Sequence, residues 1–314
     1  MPAELSTIID LIRYGASRFA AAGLTFGHGC DNALDEATQL TLHALHLPHD
    51  LPPAYGAARL TQGERAEVLA LFRRRIDERR PAAYLVGEAW FAGLSFKSDE
   101  RALVPRSPIA ELIEAGYEPW LGGRVPERVL DLCTGSGCIA IATAVHLPEV
   151  RVDAVDVSPS ALELAAENVA RHRVGARVRL LRSDLFQAVG GERYDLIVSN
   201  PPYVPAHEVD ELPREYGYEP SLGLKAGSDG LDFALAILEQ APRHLHEHGV
   251  LIVEVGDSEP ALCELLPRVP FAWIEFKVGQ MGVFALTRDE CEAHALEIEA
   301  VLARRTALRS RAAR

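Results

Sequence analysis

The first eighty residues carry apolar positions at three- and four-residue spacing. "STIIDLIRYGASRFAAAG" reads as an amphipathic helix, and "DNALDEATQLTLHALHLP" opens on capping residues and should stop by Pro48. Thr61 and Glu64 form a capping-box pattern ahead of "RAEVLALFRRRIDERR", a helix that must end before Pro81. "WFAGLSF", Trp90 to Phe96, has aromatics at both ends around a glycine and predicts a short hairpin.

Beyond "GGRVPERV" the period changes. The apolar runs "RVLDL", "VRVDAVDV", "RVRLLR", "YDLIVSN" and "VLIVEV" alternate with helical segments, one opening on Ser158 and Pro159 as cap and first-turn proline. "FAWIEFK" and "GVFALT" close the pattern as strands. Alternation of this kind predicts an α/β fold: a doubly wound sheet, mostly parallel with an antiparallel strand near the C-terminus, plus a small N-terminal helical domain. The expected division is 1–88 helical, 89–108 hairpin linker, 109–297 main domain and 298–314 a basic tail.

Ligands of such sheets bind beyond the carboxyl ends of the strands. After the first strand comes "DLCTGSGCIA", where Gly135, Gly137 and Ala140 fit G-x-G-x-x-G/A, and Asp156 ends the next strand where an acid can bind ribose hydroxyls. Alone this suits any nucleoside. Asp131 before the turn would repel a diphosphate and should sit near a methionine portion, which favours S-adenosylmethionine, with S-adenosylhomocysteine as product. Asp184 in "SDLF" can accept from an adenine amine while Leu185 packs on the ring; the alternative for Asp184 is a helix cap.

The fourth strand ends in Asn200, Pro201, Pro202 and Tyr203. A planar NH2 nitrogen is a poor nucleophile because its lone pair is delocalised, so it needs positioning more than a base. The Asn200 side-chain oxygen and the Pro201 carbonyl can each accept one N–H. Two prolines fix those acceptors, and Tyr203 can cover the planar group. No base of tuned pKa is expected.

At 314 residues and 48% hydrophobic content, a full core is available. No basic leader precedes an apolar stretch and no apolar run is of membrane length, so a cytoplasmic protein is expected. Five scattered cysteines without a C-x-x-C pair predict reduced thiols, and no metal site is expected. A net charge of −13 speaks against bare nucleic acid as the main partner and suits a basic protein. Arg304, Arg305, Arg309, Arg311 and Arg314 read as a solvated frayed terminus, the alternative being a contact with RNA or the partner. His244, His246 and His248 read as solvated cations at a helix end; His28, His43, His46 and His49 as structural or surface residues; Trp90 and Trp273 as packing residues.

Together "FGHGCDNALDEA", "PAAYL", "LVPRSPI", "DLCTGSGCIAIA", "RSDLF", "SNPPYV", "EPSLGLKAGSDGL" and "EVG" resemble the class I protein glutamine N5-methyltransferases. Within them they resemble the PrmB-type branch acting on large-subunit ribosomal protein L-three. The resemblance spans nearly the whole chain; "CTGSGC" and "GHGCDN" are its more specific pieces. It implies a cofactor pocket lined by Cys133, Thr134, Gly135, Ser136, Gly137, Asp156, Leu185 and Asn200, and a glutamine amide held by Asn200 to Tyr203. It also implies N-terminal helices that recognise a ribosomal protein, free or on an assembling large subunit. Arg106 looks like a linker arginine facing the site, pairing with a substrate or cofactor carboxylate or tying the hairpin to the sheet. Glu219 gains no role from spacing. The rival readings are a release-factor glutamine methyltransferase, whose turn usually has glycine at the Cys133 position, an adenine-N6 nucleic-acid methyltransferase, and an inactive binding module.

Overall fold

The computed structural model describes residues 5–277 and 279–312. Three helices, α1 (Ile8–Ala21), α2 (Ala33–Ala44) and α3 (Gln62–Glu78), pack around Leu11, Phe19, Leu40, Val68 and Phe72. Thr7 and Thr61 cap α1 and α3 in reciprocal capping boxes, and Asn32 caps α2. Gly15 is required where α1 crosses α3, since a Cβ there would lie 2.5 Å from the Phe72 ring. A short α4 (Ala82–Val86) leads to the expected hairpin, β1 (Glu88–Phe91) and β2 (Leu94–Lys97), and α5 (Ile109–Glu114) follows the linker.

The main sheet begins with β3 (Arg128–Leu132), α6 (Cys138–His146), β4 (Arg151–Asp156), α7 (Pro159–His172), β5 (Val178–Arg182) and β6 (Tyr194–Ser199). A long excursion containing α8 (Ala206–Val209) separates β6 from α9 (Asp232–His244) and β7 (Leu245–Glu254). Then come α10 (Glu259–Leu265), β8 (Ala272–Phe276), β9 (Gly279–Thr287), α11 (Arg288–Ala293) and α12 (Ala295–Ala312). The strand order is β5-β4-β3-β6-β7-β9-β8; β3 to β7 run parallel and β9 is antiparallel to both its neighbours. One apolar cluster lies on each face, as a sheet covered on both sides requires.

Three sequence expectations change. The expected tail boundary at 298 falls inside α12, which packs on α9 and buries Ile298 and Val301. Arg305 is no frayed cation: it is ion-paired with Asp229 and Asp232. Arg304 is exposed, the backbone of Arg309 and Arg311 is helical, and Arg314 lies outside the described residues. The helix before β7 ends at His244, so His246 and His248 are exposed on extended chain; His244 stacks on Phe186 at 4.6 Å, and burial lowers its pKa instead of leaving a solvated cation. Trp273 packs against Phe284 as expected, but Trp90 is 41% exposed. No helix of the described residues is long and apolar enough to cross a membrane, and all five cysteines are unbridged.

Candidate active site

A cavity of about 390 Å3 opens at the carboxyl ends of β3, β4, β5 and β6. Cys133, Thr134, Gly135, Ser136, Asp156, Asp184 and Leu185 line one side; Asn200, Pro201, Pro202, Tyr203 and Arg106 line the other. Asp131 and Gly137 do not line it. The Asp131 carboxylate is fully buried behind the turn, with Oδ2 accepting from the Thr134 hydroxyl at 2.5 Å and the Ala140 N–H at 3.1 Å. Burial pushes it up to about 7. Asp131 therefore braces the loop from within through Oδ2, its Oδ1 is buried without a hydrogen-bond partner, and it stands behind the lining of the cavity. Gly137, at φ +81°, is needed for packing: its Cβ would stand 3.0 Å from Ile141 and 3.2 Å from Ala165.

The first side is built from local hydrogen bonds. Asp156 accepts from the Gly135 N–H at 2.8 Å and the Ser158 N–H at 2.9 Å, one on each oxygen, which leaves a lone pair on each for a ligand hydroxyl. Burial raises its pKa. Asp184 is exposed and is not the cap of the following turn. Ser183 takes that duty, accepting from the Ala188 N–H at 2.9 Å and donating to the Leu185 carbonyl at 2.6 Å. Cys133 at φ +59° and Leu185 at φ +45° both occupy the left-handed region while lining the cavity, a costly conformation held by the strands they follow. Burial also pushes the Cys133 thiol up, which disfavours the thiolate.

On the second side, Ser199 at the end of β6 donates to the Leu132 carbonyl of β3 at 2.8 Å. Asn200 and two prolines follow, and no hydrogen bond among the described residues engages the Asn200 side chain or the Pro201 carbonyl. Tyr203 is then held at every edge. Its hydroxyl donates to Glu254 Oε1 at 3.1 Å, its carbonyl accepts from Ser258 Oγ at 2.9 Å, and its ring lies so close to Gly256 that a Cβ there would be 2.6 Å away. Glu254 Oε2 also accepts from the Ser107 hydroxyl at 2.6 Å. Burial pushes Glu254 up to about 7. Glu254 and Gly256, which entered the sequence reading only as part of "EVG", thus form the seat of Tyr203.

Arg106 has a partner that spacing did not reveal. Its Nη1 and Nη2 donate to the two Glu219 oxygens at 2.6 and 2.8 Å, and the Val104 N–H donates to the same carboxylate at 3.1 Å. His28 Nε2 stands 3.6 Å from Glu219 Oε2. Burial alone would raise Glu219, but His28 and Arg106 outweigh it and hold the carboxyl down to about 2. Glu215, nearby on the same excursion, accepts from the Thr25 N–H at 3.1 Å and meets Arg79 at 3.4 Å and Arg75 at 3.6 Å. The excursion after the clamp is therefore fastened to the N-terminal helices and the linker. His28 lacks an acid at helical spacing because its acid comes from position 219.

Comparison with known proteins agrees with this geometry. The methyltransferase small domain family model matches residues 121–212. The ribosomal protein uL3 glutamine methyltransferase of Xanthomonas campestris pv. campestris is 68% identical over 295 residues, covering 94% of this chain and 96% of that protein. The protein of the same description from Xylella fastidiosa is 65% identical over 302 residues, covering 96% of each. The mostly parallel sheet with one antiparallel strand is the class I methyltransferase fold. With 65–68% identity running along nearly the whole sequence, the chain belongs to the family of ribosomal protein uL3 glutamine methyltransferases.

Proposed function

We propose that the protein transfers a methyl group from S-adenosylmethionine to the side-chain amide nitrogen of a glutamine in ribosomal protein uL3. The observation that carries this reading is a single cavity holding the acids at the ends of β4 and β5 together with an unengaged asparagine amide and proline carbonyl. The donor supplies an electrophilic methyl on a sulfonium. The residues present fit it: Asp156 and Asp184 offer acceptors for hydroxyl and amino groups, whereas the two arginines in the wall are committed elsewhere, Arg106 to Glu219 and Arg101 to Asp99 and Glu167. A diphosphate would find no free guanidinium there.

Asp156 takes the ribose hydroxyls, Asp184 the adenine amine, and Leu185 packs on the ring. Asn200 Oδ1 and the Pro201 carbonyl accept the two amide hydrogens, so the nitrogen is aimed with its hydrogens held. Pro202 stiffens the turn, and Tyr203 covers the amide plane, positioned by Glu254 and Gly256. Holding two reactants in line is worth up to ~7–11 kcal/mol of barrier, which lets positioning carry most of the rate.

The test is labelled methyl transfer from S-adenosylmethionine to purified uL3, a release factor and an adenine-containing DNA side by side, with mass spectrometry of the product. Label on a uL3 glutamine alone is expected; label on the release factor would keep the clamp and move the substrate, and label only on DNA would overturn the reading. Asn200→Ala is expected to lose about a hundredfold or more in turnover while binding the donor normally. Wild-type turnover in that variant contradicts the clamp.

A further inference from the structure

The stretch "KAGSDGLD", Lys225 to Asp232, and the arginines of the last helix have no part in the chemistry described above, yet the fold brings them together. On α12 the positions Ile298, Val301, Leu302 and Arg305 follow three- and four-residue spacing, so Arg305 continues the face that the buried residues begin. Its side chain is 16% exposed. Nη1 and Nη2 donate to the two Asp229 oxygens, the second at 2.7 Å, and Nη2 also donates to Asp232 Oδ1 at 2.8 Å. These hydrogen bonds hold the Asp229 carboxyl below its ordinary range, so the pair stays charged at neutral pH.

The turn gripped in this way is the one on which the chain leaving the clamp rests. The Ser258 hydroxyl is shared between the Tyr203 carbonyl at 2.9 Å and the Asp229 carbonyl at 3.3 Å. Gly230, at φ +79°, packs directly on both partners: a Cβ there would overlap Ser258 Oγ and the Tyr203 carbonyl. At the other end of the turn, the Gly227 carbonyl accepts from the Ala206 N–H at 2.7 Å. Tyr203 is thus held at its hydroxyl by Glu254 and at its backbone by this turn. If the backbone end is released, the ring can pivot about the hydroxyl.

We propose that Arg305 is a positioning residue for methyl transfer, acting through the Asp229–Asp232 turn on the Tyr203 carbonyl and so on the ring set over the acceptor amide. The proposal rests on the methyl-transfer reading above and deepens it. Arg305 itself stands outside the cavity lining, and the donor pocket is built on β3, β4 and β5, so its effect falls on the alignment of the acceptor and spares the donor.

The experiment compares full-length wild type with Arg305→Met, Asp229→Asn and the pair of them, with Arg305→Lys, and with Arg304→Met at the exposed neighbour on the same helix. Below the melting transition, three quantities are read: the donor Kd by calorimetry, kcat and KM for methylation of uL3, and the fluorine NMR signal of a fluorotyrosine placed at position 203. Arg305→Met is expected to lower kcat about tenfold and to shift or broaden the signal, with the donor Kd unchanged. Asp229→Asn keeps an acceptor for the Leu231 N–H and should show the same loss, and the pair should be no worse than either variant alone. Arg305→Lys keeps the charge without the fork and should recover only part of kcat. Arg304→Met should match wild type. A wild-type kcat and signal in Arg305→Met, with only the melting temperature lowered, would reduce the residue to a stability role and overturn the proposal. A donor Kd that weakens in step with kcat would overturn it too. A signal moved by Arg305→Met in a protein that fails to methylate uL3 even as wild type would instead remove the function and keep the coupling.

Discussion

The two sides of the active-site cavity are held by opposite means. On the donor side, Asp131 reaches partners three and nine positions away, and Asp156 reaches Gly135 across 21 positions from the neighbouring strand. On the acceptor side, Tyr203 is anchored 51 positions away by Glu254 and 55 positions away by Ser258, and Arg106 meets Glu219 across 113. The donor side thus forms with the β-loop-α units that carry it. The acceptor side exists only when the N-terminal helices, the linker and the last strands have all assembled around it.

The largest test of that contrast removes the longest tie. Glu219→Ala leaves the partly buried Arg106 guanidinium without its bidentate partner and is expected to cost about 3 kcal/mol in denaturant unfolding. Donor binding should survive below the melting transition; a cost under about 1 kcal/mol would show that the wall is not held by this pair.

Acidity separates the two anchoring carboxylates next. Glu219, depressed to about 2, contributes stability that is present above the ordinary glutamate pKa and is lost as pH falls toward 2. Glu254, raised to about 7, does the opposite: the folded protein keeps its proton where the unfolded chain has lost it, so stability falls as pH rises from about 4.5 to 7. Each window spans about 3 kcal/mol at most. Chemical denaturation should show Glu254→Gln gaining on wild type between pH 5 and pH 8, whereas Glu219→Gln loses the acid sensitivity below pH 4.5. Parallel curves for wild type and Glu254→Gln would mean that Glu254 titrates as an exposed residue.

On the donor side the expected effects are smaller and confined to the ligand. Asp156→Ala removes a charged acceptor worth about 1.5–3 kcal/mol, read by calorimetry as at least a tenfold weaker S-adenosylmethionine Kd; an unaltered affinity would end its assignment. Smallest of all is Cys133→Gly. Glycine adopts φ +59° without strain but frees the unfolded chain, so the two terms offset to within about 1 kcal/mol. A loss above 2 kcal/mol would show that the thiol's packing, not the turn, decides the residue.

The same contrast explains what could be read from the chain. Gly135, Asp156, Asp184 and Asn200 to Tyr203 follow strands in sequence, and the parallel sheet gathers strand ends into one place, so their convergence was legible. Asp131 and Gly137 belong to the same motif, yet residue type does not say which way a carboxylate turns or whether a glycine serves ligand or packing. Glu219, Glu254 and His28 were unreadable for a different reason: each meets its partner only after distant elements dock. In α12 a cue was present, because Ile298, Val301 and Leu302 keep helical spacing, but the arginines around them read as a tail. Likewise His246 and His248 sit at the two-residue period of extended chain, the signal of the strand they occupy.

Strands β3 and β6 are hydrogen-bonded neighbours, with Leu132 opposite Ser199, although 61 residues of chain and two other strands lie between them in sequence. The glycine loop leaves the end of one and the clamp leaves the end of the other. Adjacent strands stand ~4.8 Å apart whatever their side chains, because backbone hydrogen bonding sets that interval. The sheet therefore works as a ruler: the gap across which two bound molecules must meet is gauged by the peptide backbone itself, and side-chain evolution in the cavity can change what is held on each side without having to recalibrate the distance between them.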